Sequence, residues 1–422
     1  MTHAVDEVNR WLTANWDATL SLRAWWSRLA ESGWAVPDWP TDWHGRGLTR
    51  ADAILVRRAV QDHSAVPAPT GFGVGMAGPT MLAHGDVDQK SRLLHEIIDG
   101  SVAYCQLFSE PGAGSDLAGL GTRAERDGDD WVVTGQKVWT SDGRLADKAM
   151  LLARTNIDVA KHAGLSYFII DMHQPGVEVR PLREMTGRAY FNEVFLTEAR
   201  VPHRDLIGGE GNGWAVANTT LALERALSGG GIASPSGHPG TMAGDLDQPA
   251  GEFSRRPSSD AGPSSRPSER LAALARSMGR TGDPSIRQDL VRLHTLEHLN
   301  SWTAQRARAL ALEGRELPGA PNLAKMDQNH AYRLGRDLTF RILGVTGTVH
   351  GYTPEDIANA EIATGVAGLG DLVQAALFAQ GPPIYGGSDQ IQRNIVGERA
   401  LGLAREPDPL KGLPWRDLPT SR

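Results

Sequence analysis

Two short stretches and one carboxylate hold the side chains that could do chemistry. Ser109-Glu110-Pro111-Gly112-Ala113-Gly114-Ser115-Asp116 follows a strand-like apolar run, Ala103 to Phe108. Glycines at 112 and 114 would let a backbone approach a ligand without Cβ clashes, and successive N–H groups can cradle an anionic phosphate. A tight turn explains such a loop equally well. Ser388 and Asp389 open the last helical stretch, where free N–H groups favour anions, although Ser388 also reads as an ordinary N-cap. The carboxylate is Glu224, within Leu221-Ala222-Leu223-Glu224-Arg225 and followed by Leu227. Leucines on both sides point to partial burial, which would raise the carboxyl pKa and improve it as a base. The plain alternative is a helical Glu paired with a neighbouring Arg or Lys at a wet surface.

Three blocks of pattern must position these groups. The first hundred residues read mostly helical: Leu22, Trp25, Trp26 and Leu29 fall at i, i+3, i+4 and i+7, one face of a helix. Trp131-Val132-Val133, Met150-Leu151-Leu152, Tyr167-Phe168-Ile169-Ile170 and Val194-Phe195-Leu196 are short β-rich runs, and Asp127-Gly128 marks a hairpin. From Gly213 the helical pattern returns, over Trp214 to Leu227, Ser285 to Leu312, Ala324 to Leu343, Pro354 to Ala379 and Asp389 to Leu401. Gly229 to Glu269, rich in Gly, Ser and Pro, has almost no large apolar side chains, and the expectation there is a disordered insertion. The fold class is therefore α+β multidomain. A helical domain spans 1–102, a β-barrel or sandwich domain 103–212, a C-terminal helical domain 213–406, and a tail 407–422.

Composition narrows the rest. The 422 residues carry 43 Lys+Arg against 50 Asp+Glu with no basic block, so nothing favours nucleic acid. No apolar run approaches the roughly 20 residues that cross a bilayer. Cys105 is the only cysteine and cannot form an internal disulfide, which fits a reducing, cytoplasmic setting. No metal-ligand spacing stands out. The twelve tryptophans read as packing.

The full string Ser109 to Asp116 resembles the acyl-CoA dehydrogenase signature. Two further segments match that family in order. Lys137-Val138-Trp139-Thr140-Ser141 looks like its second flavin strand. Pro383-Ile384-Tyr385-Gly386-Gly387-Ser388-Asp389-Gln390-Ile391-Gln392-Arg393-Asn394 is similar to its C-terminal signature. The resemblance implies a three-domain fold, a helical bundle of four in the last domain, and FAD as cofactor. It also implies oxidation of an acyl-CoA thioester to the trans-2-enoyl form. By the same resemblance Gln106, Phe108, Ser109, Gly114, Trp139 and Ser141 would line the flavin. Arg276 and Gln288 would reach the FAD of a partner subunit, and Ser388 and Gln390 would lie near its diphosphate. Ser115, Arg225 and Gly387 would meet the acyl-CoA. Locally, Trp139 could also be plain core and Arg276 a solvated helix charge.

The family's familiar base is a Glu directly after the signature Tyr, and here that position is Gly386. The Leu223-Glu224-Arg225 string resembles the helix that carries the base in isovaleryl-CoA and some long-chain acyl-CoA dehydrogenases. Glu224 is therefore the expected base, with Asp389 as a lesser candidate. The Gly386 N–H would still donate to the thioester oxygen. The resemblance further implies an electron-transfer flavoprotein or similar acceptor and a homodimer or homotetramer. A heteromer, an acyl-ACP substrate, a flavin monooxygenase and a flavin-free scaffold stay open as alternatives.

Overall fold

The structure, a computed structural model, describes residues 3–228, 237–254 and 266–419. Five helices lead: α1 His3–Asn15, α2 Leu22–Glu31, α3 Arg50–Asp62, α4 Gly78–His84 and α5 Val87–Ile98. The α2 face expected from its spacing is buried throughout. Its two indoles are satisfied rather than stranded: Trp25 Nε1 donates to Val66 O at 2.7 Å and Trp26 Nε1 to Pro67 O at 2.9 Å. Burying each such side chain contributes about 2–3 kcal/mol.

Eight strands follow: β1 Tyr104–Leu107, β2 Arg123–Asp127, β3 Asp130–Ser141, β4 Lys148–Arg154, β5 Leu165–Asp171, β6 Val177–Pro181, β7 Phe191–Pro202 and β8 Leu206–Ile207. Gly128, at φ +62°, turns β2 into β3 as its sequence signals. Where a barrel or sandwich was expected, the strands form one mixed sheet that does not close. Its order is β6-β7-β3-β2-β4-β5-β8, with β1 added parallel to β4. Alternation along β4 and β5 explains how one sheet serves two cores. Ala149, Leu151, Phe168 and Ile170 fill a core inside the sheet domain, while Met150, Leu152, Tyr167 and Ile169 join the N-terminal helices.

The remaining helices are α6 Gly213–Ser228, α7 Ala250–Ser254, α8 Pro267–Ser277, α9 Pro284–Leu312, α10 Ala320–Leu343, α11 Pro354–Thr364, α12 Leu369–Phe378 and α13 Asp389–Ile395. α10 is the hub, with α6, α8, α9, α12 and α13 all packed on it. The single helix expected over Pro354 to Ala379 is broken: Gly365 and Gly368 are left-handed and turn α11 from α12 by 114°. Among the described residues no single helix is long and apolar enough to cross a membrane. The bent pair passes that test on composition, but α12 buries Leu369 and Val373 in the third core.

The expected disordered insertion is in part ordered. Residues 237–254 dock on the N-terminal helices. Leu22 N donates to Gln248 O and Arg23 N to Leu246 O, while Leu246, Ala250 and Phe253 enter the first core. Three well-placed apolar side chains and a few backbone bonds hold a segment whose composition hides them. Residues 229–236 and 255–265 of that stretch lie outside the described residues.

Candidate active site

Helix α6 is set in place by hydroxyls. Thr220, fully buried, meets Thr80 of α4 at 3.0 Å and Tyr167 of β5 at 3.1 Å. Thr219 holds His84 at 2.7 Å. Glu224 stands one turn after Thr220 and so shares its inward face. Leu221 and Leu223 pack against the first core, whereas the side chain of Leu227 lies outside the described residues.

Glu224 faces β1. Gln106 Nε2 donates to its Oε2 at 3.5 Å, the long end of a hydrogen bond. Burial pushes the Glu224 carboxyl above the ordinary carboxylate range. The Gln106 hydrogen bond and the charges of Arg225 and Lys325 work against that shift. Glu224 is thus partly buried, which argues against a wet-surface pair.

The far wall is the turn before α13. A Cβ placed on Gly386 would stand 3.6 Å from Glu224 Oε1 and 3.7 Å from Lys325 Nζ. Gly386 is left-handed at φ +62° and Gly387 at φ +87°, so side chains are disfavoured at both. Their carbonyls accept from Gln392 Nε2 at 3.0 and 3.1 Å, and Gln392 Oε1 in turn accepts from Asn322 at 2.6 Å. Asp389 is not free for proton transfer. It accepts from Asn329 at 2.7 Å and pairs with Arg333. Burial alone would raise its carboxyl, but these two partners hold it below its ordinary value. Ser388 caps α13 by accepting from Ile391 N, and Gln390 is exposed.

The two signature strings turn out to be hydrogen-bonded neighbours. Val138 N donates to Ser109 O at 2.9 Å. Lys137, fully buried, donates to Phe108 O, Leu152 O and Glu110 Oε1 at 3.0, 2.8 and 2.8 Å. Glu110 also accepts from Gly121 N and Thr122 N, which ties the loop to the start of β2. One residue later β3 bulges against β7, between Lys137 and Thr140. The bulge throws Trp139 out of the sheet at φ +62°, with 61% of its surface exposed. A large residue in that backbone state is strained, and such strain persists where function uses it. Trp139 packs edge-on to Phe191 at 5.8 Å, and Phe191 lies 6.5 Å from Tyr385, next to Gly386.

Gln106, Glu224, Gly386 and Gly387 are thus brought together, with Ser109, Trp139 and Ser141 on the adjoining sheet end. Phe108 is packed inward, edge-on to Tyr167 at 5.8 Å. Gly114 and Ser115 are exposed on the loop, and Arg225, next to Glu224, is partly buried. Arg276 and Gln288 are exposed on α8 and α9, and their side chains make no hydrogen bond or ion pair among the described residues. Sequence reasoning missed Lys137, Thr220 and Lys325. For Lys325 the signal was the polar row Asn322, Lys325, Asn329 and Arg333 at helical spacing.

Comparison with known proteins agrees with this architecture. Residues 3–101 match the acyl-CoA dehydrogenase N-terminal domain and residues 105–198 its middle domain. The acyl-CoA dehydrogenase IpdE1 of Mycobacterium tuberculosis is 37% identical over 390 residues, covering 91% of this chain and 88% of that protein. The chain belongs to the acyl-CoA dehydrogenase family. Two solved structures share the fold. One is titled the Tcur3481-Tcur3483 steroid ACAD, with TM-score 0.67, 22% identity and coverage of 95% and 97%. The other is the ChsE4-ChsE5 complex from Mycobacterium tuberculosis, with TM-score 0.65, 24% identity and coverage of 96% and 99%.

Members of the family are FAD-dependent oxidoreductases. The residues here fit a flavin. A flat exposed indole on strained backbone, a glycine loop locked by Lys137, and a partly buried carboxylate stand on adjoining elements.

Proposed function

We propose that this chain catalyses α,β-dehydrogenation of an acyl-CoA thioester, with Glu224 as the residue that removes the α-proton. The observation that carries the reading is the Glu224 carboxylate, 3.6 Å from the position that a side chain on Gly386 would start from. A carboxylate reaching that space from α6 replaces one that would otherwise arise from the turn, and the proton transfer asks only for the carboxylate. Burial beside Leu221 and Leu223 makes Glu224 the stronger base. The Gly386 N–H would donate to the thioester oxygen as negative charge grows there, which acidifies the α-proton. Bound FAD supplies the acceptor for the hydride equivalent. Ser109, Gly114, Trp139, Ser141, Ser388 and Gln390 would hold it, Ser115, Arg225 and Gly387 would meet the thioester, and Arg276 and Gln288 would serve a neighbouring subunit. An electron-transfer flavoprotein or similar carrier in the cytoplasm would receive the electrons.

The acyl group proposed is branched or bulky, as in the relatives whose Leu-Glu-Arg helix this one resembles. Anaerobic mixing with a panel of acyl-CoAs tests both points. The flavin of the parent should bleach with its substrate. Glu224→Gln should keep bound FAD and its spectrum while bleaching about 10²–10⁴-fold more slowly. Bleaching at the parent rate would remove Glu224 from the role.

A heteromeric assembly is a second reading. Val291, Trp302, Val345, Ile362 and Ile384 of the C-terminal half are each more than half exposed, and one fold neighbour is a two-chain complex by its title. Failure of the purified chain to hold FAD without a second, similar chain would favour it.

A further inference from the structure

Along the row of polar side chains that α10 turns toward Gly386–Gln392, Asn322, Asn329 and Arg333 each donate to the α13 segment, and Lys325 donates to none of it. Asn322 donates to Gln392, and Asn329 and Arg333 both bind Asp389. Lys325, between them, is 6% exposed and donates no hydrogen bond among the described residues. Its ammonium stands 4.6 Å over the Tyr385 ring and within 4 Å of the same point above Gly386 that Glu224 reaches. An ammonium on a largely buried side chain is costly unless something negative stands near it. The negative groups here are Glu224, which approaches the same point above Gly386, and, with a smaller effect, Asp389.

We propose that Lys325 is the positioning residue for the proposed base, a fixed cation near Glu224 at the slot above Gly386 and holding its carboxylate ionised and turned toward the substrate. The proposal rests on Glu224 being the base. Other charged and polar groups around Glu224 act from other directions. Arg225, its chain neighbour, draws the Glu224 carboxyl down more than Lys325 does, but side chains at i and i+1 of a helix do not face each other. Gln106 approaches from β1. Asp389 acts on Lys325, and Arg399 on Arg225. Tyr385 offers Lys325 a ring face, not an anion. Burial favours the uncharged form of both Glu224 and Lys325, and each opposes that tendency in the other. When the proton moves to Glu224, the negative charge passes to the substrate, and a cation fixed beside the slot stays close to it in both positions.

The test is the pH dependence of kcat/KM for the FAD-loaded parent, Lys325→Met, Lys325→Gln, Lys325→Arg and Glu224→Gln. The acid limb should rise by about one pH unit in the Met and Gln variants, the size that removal of an opposite charge about 4–6 Å away produces. It should stay near the parent position in Lys325→Arg. An acid limb unmoved in both Met and Gln variants, whatever their kcat, would overturn the proposal while leaving the base in place if Glu224→Gln is inactive. Parent-level turnover in Glu224→Gln would remove the base reading and this proposal together. If Lys325→Met does not fold, the Gln and Arg pair decides.

Discussion

Glu224 Oε1 stands 3.6 Å from the place where Gly386 would carry a Cβ, although the two lie 162 positions apart in the chain. Under the proposed function the missing side chain at 386 is part of the site, since the space it leaves is the one that the carboxylate of α6 approaches.

Restoring a carboxylate at 386 should therefore damage the enzyme. Gly386→Glu places a side chain on left-handed backbone, which costs about 1–2 kcal/mol, and sets a second negative charge beside Glu224. Flavin bleaching should slow about 10²-fold or more in this variant. The double variant Glu224→Gly with Gly386→Glu should bleach faster than either single variant. A double variant no faster than Glu224→Gly alone would show that the two positions do not serve one spot.

Stability carries the opposite sign from activity at Glu224. Its folded pKa is raised, so the fold prefers the neutral acid. Below the ordinary value of 4.5 the group is protonated in both folded and unfolded chains, and its favourable contribution is fully present. As the pH rises through the folded value, that contribution is lost. Glu224→Gln should melt above the parent at about pH 7, with the gap narrowing toward about pH 4. Melting curves across that range, with FAD content matched, check the direction.

Trp139 separates binding from stability in another way. Trp139→Gly should relieve a left-handed strain of about 1–3 kcal/mol and expose no new core, because the indole is already 61% exposed. The variant should melt no lower than the parent as apoprotein and yet lose FAD more readily on dialysis. Equal retention of FAD would assign the strained indole to something other than the cofactor.

Much of this was legible because local pattern and tertiary need coincide. The α2 face with Trp25 and Trp26, the turn at Gly128 and the β-rich runs follow from period and turn chemistry, and those residues are buried or turned as expected. The bulge that exposes Trp139 was not legible. It depends on register against β7, which no stretch of β3 encodes by itself. Lys325 was hidden because a lysine on a long helix reads as solvated, and only the approach of Glu224 and Gly386 from other elements makes it part of a site. The break between α11 and α12 was masked by apolar spacing that runs on through Gly365 and Gly368. Leu246, Ala250 and Phe253 were overlooked among the glycines and prolines around them.

That docked stretch, 237–254, also bears on how the molecule can be taken apart. The chain leaves the helix of Glu224, is fastened edge to edge on Ser21, Leu22 and Arg23, and only then enters α8. A fragment cut at the start of α6 would carry away a piece of the N-terminal domain's own core and leave Leu22 and Arg23 without their backbone partners. Exchanging the C-terminal half with a relative lacking this stretch would leave a gap in the first core, so the helical halves are interlaced units and not interchangeable parts.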